Sequence, residues 1–163
     1  MKKGTTGEAR QHVDAAPEAV YDLVADVTKM GSWSPECVRG EWLGGAAGPE
    51  VGARFRGRNR HGLVRWSTKP LVVTADRGRE FGFVSPDMRG RDNVRWTYRF
   101  EASGSGTDVT ESFEVLRDAP FFILLFYRWG MGVKDRKADL EANMGQTLQA
   151  LKAAAEGPTP DNP

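Results

Sequence analysis

The sequence predicts an α+β domain: one strand, two short helices, about six antiparallel strands and a long C-terminal helix. Three observations predict it. Apolar residues recur at helical spacing after Pro17, at a period of two from Glu36 to Leu116, and at helical spacing again from Val133 to Glu156. A chain of 163 residues fits one such domain and can bury one sizeable core. The domain is expected over residues 8–156, between a disordered N-terminus (1–7) and a disordered tail (157–163), with no linker to divide it.

Glu8 to Ala15 reads as the first strand. Pro17 then opens a helix, because its missing N–H costs nothing at the first helical position, and Glu18 suits the positive end of the helix dipole. Val20, Leu23, Val24 and Val27 form its apolar stripe. Lys29 to Pro35 reads as a short second helix or turn ending at the Ser34-Pro35 step. Strands are expected at Glu36–Leu43, Val51–Asn59, Leu63–Ala75, Glu80–Val84, Asn93–Ala102 and Thr107–Leu116. The Leu63–Ala75 strand should bend at Pro70, which cannot donate to a ladder. A turn is placed at Arg60-His61-Gly62 and another at Ser103 to Gly106. In the last helix Val133, Leu140, Met144, Leu148 and Leu151 share a stripe, and Gly157 ends it.

Net charge is +1, so no global field favours nucleic acid or an anionic surface. The 39% hydrophobic and 28% charged residues are those of an ordinary globular protein. Cys37 is the single cysteine. It excludes an internal disulfide, fits a reducing cytoplasm and reads as a packing residue. Met1 to Arg10 lacks the apolar run of a signal peptide. The longest apolar run, Phe121 to Tyr127, is far short of the ~20 residues that span a bilayer. His12 and His61 lie on distant elements, no zinc-ligand spacing occurs, and Gly44-Gly45 lacks the Lys-Ser/Thr step of a phosphate loop, so no metal and no cofactor are expected.

The run Val13-Asp14-Ala15-Ala16-Pro17-Glu18-Ala19-Val20-Tyr21-Asp22-Leu23-Val24-Ala25-Asp26 resembles the opening of the START and pollen-allergen-like helix-grip superfamily (SRPBCC). Trp33-Ser34-Pro35 stands where that superfamily often has Trp-x-Pro. Trp96-Thr97-Tyr98-Arg99-Phe100 and Gly106-Thr107-Asp108-Val109-Thr110-Glu111-Ser112-Phe113 resemble its last two strands. The branch it is most similar to is that of bacterial polyketide cyclase/dehydratase-like proteins. Gly31 departs from the pattern, since relatives often carry Pro there. The resemblance implies a helix-grip fold, a curved antiparallel sheet of about six to seven strands wrapped around the long helix. It implies no single function, because the superfamily holds carriers, receptors, cyclases and ribosome-associated toxins.

Strand phase sharpens this. Pairing Ala102 with Thr107 sets Phe100 opposite Val109, Tyr98 opposite Glu111, Trp96 opposite Phe113 and Val94 opposite Val115, all on one face. A slip of one residue would turn those aromatics into water. Val51, Ala53, Phe55, Gly57 and Asn59 share a second inner face with Val64, Trp66 and Thr68, and Phe81 and Phe83 join it. So aromatic a surface either packs solid or leaves a hollow; the resemblance favours the hollow. Trp33, Phe55, Asn59, Trp66, Phe81, Phe83, Trp96, Tyr98, Glu111, Phe113, Met144 and Leu148 are then the expected cavity residues.

Glu111 and Tyr98 are the polar candidates within it. A carboxylate on an inner face is costly unless paired. The two read either as a structural pair or as a ligand anchor, with Glu111 a candidate general acid if the protein is catalytic. Arg54, Arg56, Arg58 and Arg60 alternate along one strand, point outward with Arg65 beside them, and read as a solvated face. No stacking platform accompanies them, so no specific nucleic acid is expected. Phe121 to Trp129 reads either as a buried start to the last helix or as a gate over the cavity; a gate touching a membrane would suit a lipid carrier. The partner expected first is a hydrophobic small molecule, held by a carrier or sensor. The alternatives are a polyketide cyclase/aromatase and a toxin-like protein acting through the arginine face. The sequence sets no oligomeric state.

Overall fold

Alternation governs the widest part of the fold. In a computed structural model, which describes residues 1–121, 123, 129 and 132–157, eight strands form in place of the expected six or seven. They are β1 (Thr6–Val13), β2 (Cys37–Trp42), β3 (Phe55–His61), β4 (Val64–Thr68), β5 (Leu71–Asp76), β6 (Glu80–Pro86), β7 (Asp92–Ser103) and β8 (Gly106–Val115). The helices are α1 (Pro17–Ala25), a 3-10 turn (Val27–Ser32) and α2 (Arg136–Glu156). β7 and β8 pair in the expected register, and the ladder closes one pair further, at Ser103 and Gly106. That leaves a two-residue turn whose first position, Gly104, has φ +59°, as a tight hairpin needs.

The strands divide into a five-stranded sheet, ordered β1-β8-β7-β6-β5, and a three-stranded sheet, ordered β2-β3-β4. The single strand expected over Leu63–Ala75 is two strands, one in each sheet, because Pro70 ends the β4 ladder. Bonds from Gly52 N–H to Val72 O, Val72 N–H to Ala53 O and Phe55 N–H to Pro70 O join the sheets at one end. Val51 lies outside β3 and is exposed, a correction to its expected inner position. The turn expected at Arg60 to Gly62 sits at Gly62-Leu63, since His61 pairs with Val64.

α1 buries Val20, Tyr21, Val24 and Ala25, with Leu23 half-buried. Tyr21 meets Phe81 and Phe100 edge-on at 6.2 and 5.7 Å. Gly31 lacks a Cβ for a reason: one there would strike the Val38 carbonyl, so Pro has no room. α2 begins at Arg136, not Val133, because Asp135 caps it by accepting from Lys137 and Ala138 N–H. Its buried stripe is Leu140, Met144, Thr147, Leu148 and Leu151.

The N-terminus departs from the expected disorder at 1–7. Gly4 N–H donates to Val115 O, Val115 N–H to Thr5 O, and β1 starts at Thr6, because β8 would otherwise leave an open edge. Most of Phe121–Trp129, and the tail beyond Gly157, lie outside the described residues. Among the described residues no helix is long and apolar enough to cross a membrane.

Candidate functional site

The strand pattern delivers side chains to the interior, and the neighbouring elements decide what they meet. At one end Phe81, Phe100, Val109, Leu148 and Leu151 pack against α1 into solid core. At the other end α1 is absent and the two sheets part. There β4 is the outer strand of its sheet, and Val64, Arg65, Trp66, Ser67 and Thr68 all border an opening. The opening leads to a cavity of about 1160 Å³, walled by β3, β6, β7, β8 and α2. Small-molecule sites typically enclose about 300–1,000 Å³.

Eight of the expected residues line this space: Phe55, Asn59, Trp66, Phe83, Trp96, Tyr98, Glu111 and Met144. Four do not, and are packed one layer away. Phe81 lies between Tyr21 and Phe83. Phe113 packs against Trp96, with ring centres 5.6 Å apart and planes tilted by 49°. Leu148 belongs to the solid core, and Trp33 is buried at the end of the 3-10 turn. Strand phase gives Phe81 and Phe113 the inner face but not what packs over them, and Trp33 and Leu148 lie off the strands, at the end of the 3-10 turn and on α2.

Glu111 is the chemical focus of the wall. It is 4% exposed, and the Tyr98 hydroxyl donates to its Oε1 at 2.7 Å. Oε2 is buried, with no hydrogen-bond partner among the described residues. Burial pushes the carboxyl up to about 8, and the Tyr98 bond offsets only part of that. The Tyr98 hydroxyl is itself raised by burial and by the neighbouring Glu111. Glu111 is therefore mostly neutral at pH 7. Glu111 borders the cavity as a residue, with Oε1 held by Tyr98 and Oε2 turned into the wall.

Other polar wall residues carry no sequence pattern that marks them as a site. Cys37 lines the cavity beside Asn59, its cross-strand partner. Burial raises its thiol to about 11, which leaves it protonated and inert at neutral pH. The Asn59 side chain donates to Gly57 O at 3.5 Å and does not cap the turn. Thr147 sits one helical turn beyond Met144, and a stripe counted on polar as well as apolar residues would have found it. Glu36, Arg136 and Asn143 form a polar corner. Arg136 Nη2 donates to both Glu36 oxygens at 2.6 and 2.9 Å, Nη1 pairs with Asp139, and Asn143 donates to Glu36 at 3.3 Å. Here the fold brings His61 to Glu36 and Asp139, with ligand atoms within 4.8 Å of one another. The guanidinium between the carboxylates already supplies the positive charge a metal ion would bring.

The arginine strand faces outward as expected. Arg56 and Arg58 reach Glu41 at 2.7 and 3.5 Å, which lowers the Glu41 carboxyl pKa. Arg39 lies opposite Arg58 and Arg60 opposite Arg65 on the same outer face.

A family model described as polyketide cyclase / dehydrase and lipid transport matches residues 5–156. The polyketide-cyclase-like protein Cgl2372 of Corynebacterium glutamicum is 33% identical over 96% of this chain and 94% of its own, with a TM-score of 0.62. The ginseng major latex-like protein 151 of Panax ginseng is 14% identical over 94% of this chain and all of its own (100%), with a TM-score of 0.69. The di-domain aromatase/cyclase StfQ of the steffimycin biosynthetic pathway is 16% identical over 92% of this chain and 44% of its own, with a TM-score of 0.65. The last two likenesses are of fold alone. No curated protein matches the chain.

Proposed function

Because the chain belongs to the polyketide cyclase / dehydrase and lipid transport family, we propose that it binds or carries a hydrophobic small molecule in its internal cavity: a lipid, an isoprenoid or a polyketide-like compound. The observation that carries this reading is a large, ring-lined space with the buried Tyr98–Glu111 pair in its wall. Rings supply area that any apolar body can cover, and the Tyr98–Glu111 pair gives that wall one polar point. Titration with an apolar fluorophore should give a saturable site of low-micromolar affinity or better, about −8 kcal/mol. Native mass spectrometry of protein purified from its own host, with extraction of the bound lipid, would then identify the cargo. Folded protein without a saturable site would remove this reading.

The raised Glu111 pKa favours one second reading, that of a cyclase/dehydratase. A carboxyl still protonated at pH 7 can give its proton to the hydroxyl formed when a cavity-bound poly-β-ketone closes by an aldol step. That hydroxyl leaves as water, and the carboxylate takes the proton of the adjacent C–H as the C=C forms. Glu111→Gln separates the two. An enzyme loses roughly 10²–10⁴-fold in rate while still binding, whereas a carrier changes only in affinity.

A further inference from the structure

We propose that the rim of the cavity is a docking surface for an anionic lipid bilayer, in which Leu63 and Met88 enter the apolar layer and the cations around the opening meet the headgroups. The inference deepens the carrier reading and rests on it, since a bilayer is where an apolar cargo would be exchanged.

The apolar part is unusual in position. Leu63 is 101% exposed in a two-residue turn, Met88 is 89% exposed in the β6–β7 turn, and Phe121 is 74% exposed after β8. Turns favour Gly, Asn, Asp and Ser, and large apolar side chains there gain no packing. Exposed apolar residues scattered singly are ordinary. These are not scattered: Met88 itself borders the opening, as do Val64 next to Leu63 and Pro120 next to Phe121.

The charges have the same centre. Arg54, Arg65, Lys69, Arg89 and Arg117 border the opening, and none has a carboxylate partner among the described residues. The carboxylates there do not cancel them. Glu36 is held by Arg136 and Asp87 by Arg91, Glu111 is mostly neutral at pH 7, and Asp118, bonded to the Lys3 backbone N–H, is one anion against these cations. The outer face of the three-stranded sheet extends the field through one like-charged cross-strand pair, Arg60 with Arg65, while Arg58, opposite Arg39, is offset by Glu41. Such a pair weakens a sheet, so packing does not account for it, whereas an anionic surface would relieve it. With a whole-chain charge of +1, this is a concentration on one side. Apolar tips backed by cations fit a lipid interface. RNA is less well matched, because this outer face carries no aromatic platform.

The test is co-sedimentation of the full chain with vesicles of phosphatidylcholine alone or with 30% phosphatidylglycerol. Saturable binding is expected to the anionic vesicles, at least tenfold stronger than to the neutral ones and weakened by 0.5 M salt. Leu63→Ser with Met88→Ser should weaken it at least tenfold at an unchanged circular dichroism spectrum. Arg65→Ser and Arg89→Ser should each weaken it about fivefold. No binding by folded wild-type protein, no response to the Leu63 and Met88 pair, or capture of RNA by these cations in place of vesicles would overturn the proposal. The fluorophore titration runs in parallel. Cavity binding without vesicle binding removes the docking surface and leaves the carrier reading; vesicle binding without cavity binding does the reverse.

Discussion

Along α2 one buried stripe runs from Leu140 to Leu151, yet its two ends meet different interiors. Leu148 and Leu151 are packed solid, while Leu140, Met144 and Thr147 border the cavity. The strands repeat the contrast. Phe81 gives way to Phe83 on β6, Phe100 to Tyr98 on β7, and Val109 to Glu111 on β8. Each step is two residues along one face. The difference is a third layer. At the solid end α1 presses Tyr21 edge-on against Phe81 and Phe100, and at the open end the three-stranded sheet swings away after Pro70. A hollow here is thus a property of which elements are present, not of the strand pattern itself.

The largest expected effect lies at the open end and depends on pH. The Glu111 carboxyl titrates near its reference value of 4.5 in the unfolded chain and at about 8 in the folded one. Below 4.5 both states hold the proton and nothing is lost. Between the two values the folded state holds one more proton, so stability falls as pH rises, and the loss is complete above about 8. The window is 8 − 4.5 = 3.5 units, worth roughly 5 kcal/mol at most at ~1.36 kcal/mol per unit. His12, raised by its bonds to Asp108 and Asp14, adds a slope of the same sign. Glu111→Gln isolates the first contribution. Urea midpoints for both proteins at pH 5, 7 and 9 should diverge, and parallel profiles would mean that the open end hydrates Glu111 after all.

Next comes a matched pair. Phe81→Ala empties a fully buried site and should cost about 3–5 kcal/mol. Phe83→Ala removes the same ring from a wall that already faces a hollow. The added void merges with the cavity, so the loss should be smaller by about 1–2 kcal/mol. Equal losses in denaturant unfolding would erase the contrast between the two ends.

What the sequence made legible follows the range of the interactions involved. The β7–β8 register follows from alternation and loop length, both local, so the Tyr98–Glu111 pair is legible from the sequence alone. The corner where Arg136 meets Glu36, 100 residues away, depends on where the start of α2, packed on β1 and β8, meets the chain ahead of β2, and no local pattern encodes that. The four misplaced wall residues fail for the same reason: each is covered by a neighbouring side chain or element that no local pattern predicts. The late start of α2 has a local signal in Asp135, whose side chain caps it.

Ligand binding should divide along the same line, with smaller energies. Glu111→Gln keeps the shape of the site and should shift fluorophore affinity by about 1–3 kcal/mol at most if Glu111 is an anchor. Trp66→Ala or Trp96→Ala should also shift it, while Phe81→Ala, measured at a temperature where the variant is folded, should leave it unchanged. A Phe81 effect as large as that of Trp96 would place the ligand in the closed end.

The smallest effect tests whether the outer face of the open end is tuned for folding. Arg60 and Arg65 stand directly opposite each other on β3 and β4, at the exposed end of the small sheet. Two guanidinium groups so placed repel, and opposite charges at such a pair favour pairing by about 0.2–1 kcal/mol. Arg60→Glu exchanges repulsion for attraction without touching the interior, since the side chain is exposed. The variant should therefore unfold at a slightly higher urea concentration than the wild type, and the gain should fade in 0.5 M salt, where exposed pairs are screened. The same variant should bind anionic vesicles more weakly, because it takes one cation from the field and adds an anion to it. Stability and docking would then move in opposite directions at one residue. If Arg60→Glu lowers stability instead, Arg60 makes a packing contribution along its aliphatic stem, and the like-charged pair no longer argues for a partner.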